Sequence, residues 1–134
     1  KAVGELARVL KPGCFMAAGV DSLFSTVRGM LVRKGPEEAF KVLKERRFFA
    51  EAWGFYCWAF SPSDLRSLFE KKGLEVVKIV GKTVVYVSRP ETEALLQDEE
   101  KAEKLLELEL MLCEEPSIVG YGGHLHIVAR KKRI

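Results

Sequence analysis

Hydrophobic positions change spacing several times along this chain, and each change marks an element. Val3, Leu6, Ala7 and Leu10 recur every three or four residues, which predicts one apolar face of a helix over residues 3–10. Pro12-Gly13 closes it, as a Pro-Gly pair does. Residues 14–20, CFMAAGV, then run apolar without a break, the pattern of a strand covered on both faces as in parallel sheets. Asp21-Ser22 is expected to end that strand. Leu23, Phe24, Val27, Met30 and Leu31 fit a helix up to Gly35-Pro36, weakened by Gly29. Pro36-Glu37-Glu38 then reads as a new first turn, with Ala39, Phe40, Leu43 and Arg47 continuing the helix.

From residue 48 to 60 neither period fits. Seven of the chain's 13 aromatic residues fall there: Phe48, Phe49, Trp53, Phe55, Tyr56, Trp58 and Phe60. They read either as rings packing an excursion (about 36–60) onto a sheet or as an aromatic lining over a ligand. Ser61-Pro62-Ser63-Asp64 is a compact helix start, with a Ser cap, Pro in the first turn and an acid at the third position. Leu65, Leu68 and Phe69 form the inner face, and Gly73 ends it. LEVVKIV (74–80) predicts a strand, and TVVYV (83–87) a second strand or its continuation. One long helix is expected over about 90–114, with Leu95, Ala102, Leu105, Leu108 and Leu112 as its stripe. After Pro116 and the glycines at 120, 122 and 123, HLHIVA (124–129) predicts a closing strand. The sum is a single α/β domain, or part of one, over 1–134, with no internal repeat and no linker.

Composition narrows the class. At 134 residues, 48% hydrophobic and 31% charged, the chain is of globular type. Asn is absent and Gln97 is the sole Gln, a scarcity found in many heat-adapted proteins. The formal charge of +3 owes much to Arg130-Lys131-Lys132-Arg133, read as a solvated end, since no aromatic interleaves that tail to stack nucleic-acid bases. Three cysteines without a CxxC spacing, and no signal-peptide pattern or membrane-length apolar run, favour a reduced, cytoplasmic setting. Cys14 and Cys113 are expected to behave as small core hydrophobes. A start at Lys1, already inside a helical pattern, points to a processed chain or a fragment.

Two passages carry a resemblance. Leu6-Ala7-Arg8-Val9-Leu10-Lys11-Pro12-Gly13 is similar to the "helix, RVLKPGG, strand" passage before the fifth strand of class I S-adenosylmethionine-dependent methyltransferases, with Cys14 in place of the usual second Gly. The second passage begins at Phe60-Ser61-Pro62-Ser63-Asp64-Leu65, continues through Gly73-Leu74-Glu75-Val76-Val77, and ends with Gly122-Gly123-His124-Leu125 through Ala129-Arg130-Lys131. In that order it resembles the sixth and final strands, with their lead-ins, of the small-molecule group of that family. The resemblance implies the carboxyl-side portion of a Rossmann-like sheet: a parallel strand, helices and a closing antiparallel strand. It implies S-adenosylmethionine as cofactor and a small-molecule methyl acceptor. The glycine-rich strand–loop–helix that cradles the cofactor has no counterpart, because Gly120, Gly122 and Gly123 precede a strand and no helix comes after them. Cofactor-binding residues are therefore expected to be absent from this chain. The parallel strand would then lack neighbours, leaving a sheet edge open to those strands or to a second copy.

Methyl transfer from a sulfonium asks the protein mainly for alignment and exclusion of water, so no dyad or triad need be legible. Ligands of open α/β sheets sit beyond the carboxyl ends of the strands. Asp21 and Ser22, at such an end, are the first candidates to bind the acceptor, and Trp53, Tyr56 and Trp58 are candidate pocket walls. His124 and His126 share a strand face, but an H-x-H pair alone is no metal site, so no metal is expected. A catalytic residue cannot be named from the sequence. The competing reading is a non-catalytic remnant of the same fold that acts as a dimerisation or binding module.

Overall fold

The computed structural model describes residues 1–133. Among them α1 (Ala2–Val9) leads into β1 (Phe15–Ser22), α2 (Leu23–Lys34) and α3 (Pro36–Glu45). A hairpin of β2 (Arg47–Ala50) and β3 (Phe55–Phe60) comes next, then α4 (Pro62–Glu70), β4 (Leu74–Lys82), α5 (Arg89–Leu96), α6 (Glu99–Leu112) and β5 (His124–Lys131). The strands form one mixed, open sheet in the order β2-β3-β1-β5-β4. β5 runs antiparallel to both its neighbours, so β1 and β4 point the same way and their carboxyl ends share one edge.

Local chemistry explains where most elements start and stop. The Ser61 hydroxyl accepts from the Asp64 N–H at 3.1 Å, Pro62 takes the first turn, and Gly73 adopts φ +76° just beyond α4. Gly13, at φ +81°, turns the chain from α1 into β1. The Lys131 ammonium donates to the Ala7 carbonyl at 2.7 Å, which caps the end of α1 and ties it to β5.

α1 and α4 cover one face of the sheet. There Leu65, Phe69, Leu74, Leu125, Ile127 and Ala129 are buried together, with Met16, Ala18 and Val20 of β1 packed against them. A smaller cluster of Leu23, Met30, Val42 and Ala59 joins α2 and α3 to the hairpin, aided by Phe48.

Five expectations need correction. β1 is covered on one face only: Met16, Ala18 and Val20 face the core while Phe15 stays 57% exposed. Its partner on one side is β5 along the whole strand, but on the other β3 reaches only Asp21 and Ser22. Cys14 is accordingly exposed, not a core hydrophobe. Asp21 and Ser22 do not break β1; they are its last paired residues. Residues 83–87 are no strand, because the Glu109 carboxylate accepts the Val84 and Val85 N–H groups at 2.8 and 3.0 Å in place of a neighbouring strand. The long helix is two, since the Asp98 side chain accepts from the Lys101 N–H and starts α6 afresh. The aromatic stretch resolves into the β2–β3 hairpin, whose strands are too short to show a clean period.

Candidate functional site

The carboxyl ends of β1 and β4 lie on either side of the first residue of β5. Asp21 of β1 and His124 of β5 are direct cross-strand partners, and Lys82 of β4 is opposite His124 on the other side. Residues opposite one another in a ladder project to the same face. The His124 Nε2 consequently lies 3.4 Å from the Asp21 Oδ1, with side chains 56% and 34% exposed. One imidazole nitrogen is thus held toward a carboxylate while the other stays free to accept or donate.

Backbone at this end is tightly built. Thr83 holds φ +61°, a left-handed conformation that is costly for a β-branched residue, by about 1–3 kcal/mol. The Gly123 N–H donates to the Lys82 carbonyl at 2.8 Å and also lies 3.3 Å from the Thr83 hydroxyl. Gly122 sits against Lys82 so closely that a Cβ would fall 2.7 Å from its carbonyl oxygen. The glycines at 120–123 therefore let the loop before β5 pack onto the end of β4. Strain of this sort concentrates where a site has to be shaped.

Beside Asp21, a cavity of about 450 Å³ opens between α2 and the hairpin. Asp21, Arg33, Phe48, Phe49 and Trp53 contribute to its wall. Trp53 stacks on Phe55 with ring centroids 5.9 Å apart and planes 21° from parallel, which fixes the indole as a platform. Lys34 at the rim is held by Glu51, whose carboxyl lies below the usual carboxylate range because of that lysine's hydrogen bond and charge. Arg33 beside it forms no ion pair among the described residues.

In two other cavities the carboxylates are already engaged. One of about 630 Å³ beyond β1 includes Arg46 and Asp64, which pair with each other at 3.3 Å. Its wall at Tyr121 is braced by the Arg28 guanidinium, 3.7 Å from the ring centroid and bonded to the Tyr121 carbonyl. The other, about 330 Å³ between α5, α6 and residues 82–86, is apolar, and its Glu109 is consumed by the two backbone N–H groups.

The sequence-derived candidates separate. Asp21 and Trp53 meet in the 450 Å³ cavity. Ser22 is fully buried and its hydroxyl donates to the Gly120 carbonyl at 2.9 Å, so it anchors the loop before β5 and faces no cavity. Tyr56 and Trp58 lie outside the cavity wall, on the hairpin face they share with Arg47 and Phe49. There Arg47 sits 4.3 Å over the Tyr56 ring, and Phe49 meets Tyr56 edge-on at 5.3 Å. Sequence reasoning misses the contributions of His124 and Arg33. His124 is legible only as a histidine at a strand entry, and its carboxylate partner is set by strand register.

No group of three or more metal-ligating side chains forms among the described residues. The glycines at 120–123 do not form a nucleotide cradle: Gly122 lies against the Lys82 backbone, and a strand rather than a helix comes after the loop. No helix is long and apolar enough to cross a membrane. No protein-family model matches the chain, and no curated protein matches it.

Proposed function

We propose that this chain is the carboxyl-side, acceptor-binding part of an S-adenosylmethionine-dependent methyltransferase that acts on a small molecule, with the cofactor held by strands outside these residues. One observation carries the reading: β5, the last strand in the chain, runs antiparallel between two strands that are parallel to each other. That is the closing arrangement which the motifs around Pro12-Gly13, Gly73-Leu74 and Gly123-His124 lead one to expect. The bare side of β1 supports it further. Phe15 to Val20 present unpaired backbone groups toward the gap beside β3, with no charge or proline to blunt the edge. In this reading a parallel strand of the cofactor-binding part fills that gap, and Asp21 faces the acceptor.

Calorimetry with S-adenosylhomocysteine tests this in two arms. The complete gene product that carries these residues should bind at micromolar concentration, and this chain alone should not. Absence of binding by the complete product overturns the methyltransferase reading. Micromolar binding by this chain alone overturns the division between cofactor and acceptor parts.

The same bare edge favours a second reading, a remnant module that dimerises by pairing β1 with a second copy. Sedimentation equilibrium separates the two, because the second requires a dimer in which the Phe15–Val20 amides are protected from exchange.

A further inference from the structure

The cavity beside Asp21 brings together an aromatic platform, a carboxylate and a guanidinium. Its walls include Phe48 from the hairpin and the stacked Trp53 platform. One end holds Asp21, whose carboxylate faces the His124 imidazole at 3.4 Å. Arg33 lines the same cavity and lacks an ion-pair partner among the described residues, since Glu51 is engaged by Lys34. At about 450 Å³ the cavity falls within the range of small-molecule sites, roughly 300–1,000 Å³.

We propose that this cavity binds a planar aromatic acid that carries a ring hydroxyl. The ring stacks on Trp53, which offers a π-face already fixed by Phe55. The hydroxyl donates to the Asp21–His124 pair, a charge-assisted bond stronger than a neutral one. The carboxylate takes the Arg33 guanidinium, whose planar fork matches it. Identifying this ligand as the methyl acceptor rests on the function proposed above; its binding does not.

The test uses para-hydroxybenzoate as probe, with benzoate and phenol as the partial ligands, and no methyl donor. Titration is monitored by calorimetry and by the indole N–H signals of the two tryptophans, Trp53 and Trp58. Para-hydroxybenzoate should bind saturably in the millimolar range or tighter and move the Trp53 signal while leaving Trp58 in place. Asp21→Asn should weaken para-hydroxybenzoate about tenfold and leave benzoate unchanged. Arg33→Gln should weaken para-hydroxybenzoate and benzoate by about the same factor and leave phenol unchanged. Trp53→Ala, at an exposed position that cannot disturb the core, should weaken all three. Lack of saturable binding, a shift confined to Trp58, or indifference to these substitutions overturns the proposal. Aromatic binding by a complete gene product that does not bind S-adenosylhomocysteine would instead overturn the methyltransferase reading and leave this one standing.

Discussion

Replacing Gly122 or Gly81 by Ala should destabilise the protein although each adds a single methyl group. A Cβ at Gly122 would lie 2.7 Å from the Lys82 carbonyl oxygen and 2.8 Å from the Lys82 nitrogen. One at Gly81 would lie 2.5 Å from the Val119 carbonyl oxygen and 2.6 Å from the Val84 Cγ1. Ordinary contact begins at 3.4 Å, so the neighbours would have to retreat by 0.7 Å (3.4 − 2.7) and 0.9 Å (3.4 − 2.5). The nearest atoms are mostly backbone, and that backbone is held: the Lys82 carbonyl accepts from the Gly123 N–H at 2.8 Å and the Val119 N–H donates to the Glu115 carbonyl at 3.0 Å. Overpacking of this kind costs about 1–3 kcal/mol, and the entropy an Ala removes from the unfolded chain returns only about 0.4–1 kcal/mol of it. Gly4 makes the contrast. It sits within α1 with nothing nearer than the flexible Lys72 chain at 3.8 Å, so Gly4→Ala should stabilise by about 0.5–1 kcal/mol. Urea unfolding checks all three. With a slope of about 2 kcal/mol/M, the midpoint should fall by roughly 0.5–1 M for the first two and rise for the third. If Gly81→Ala and Gly122→Ala both unfold at the parent midpoint, the close packing of the loop onto β4 is wrong.

Glu109→Ala should free the segment after β4, since one carboxylate holds both the Val84 and Val85 N–H groups, at a cost of about 1–3 kcal/mol. Hydrogen exchange at those two amides should speed up while the β4–β5 ladder keeps its protection, and unchanged exchange there would refute the assignment. Acid stability should depend slightly on Glu38 and Glu51, whose carboxyls are held below the ordinary range, first by the hydrogen bonds of Lys41 and Lys34 and then by their charges. A depressed folded-state value means the contribution is present above the unfolded value and lost as pH falls through the folded one. The Glu38→Gln/Glu51→Gln double variant should therefore show a shallower acid limb, and molar salt should erase the difference because both pairs are exposed. Lys78, raised by its hydrogen bond to Glu114, has the opposite sign: its contribution is present below the unfolded value and is lost as pH rises through the folded one.

Local sequence by itself determined where most helices start and stop and that the chain mixes helix with strand. The Ser61 cap, the Pro36 first turn and the stop at Gly73 act within a few residues of themselves, so they can be read without knowing any distant partner. The periodic faces of α1 and α4 were legible for the same reason: Ala7, Leu65 and Phe69 are where their spacing puts them. Whether an apolar run is covered on one face or two is not a local property. Residues 15–20 read as doubly buried, yet coverage depends on which helices cross the sheet, and here they cross one face of β1. The failure at Thr83–Val87 has the same origin, since a side chain 25 residues away from Val84 took the N–H groups a strand would have paired. The candidate site divides along this line. Asp21 and Trp53 could be named because a strand end and an aromatic cluster are visible in one dimension. Setting Asp21 against His124, burying Ser22 under Gly120 and turning Arg33 into the same cavity required strand register and the docking of α2 on the hairpin. Those are contacts between residues far apart in the chain, and only the folded sheet decides them.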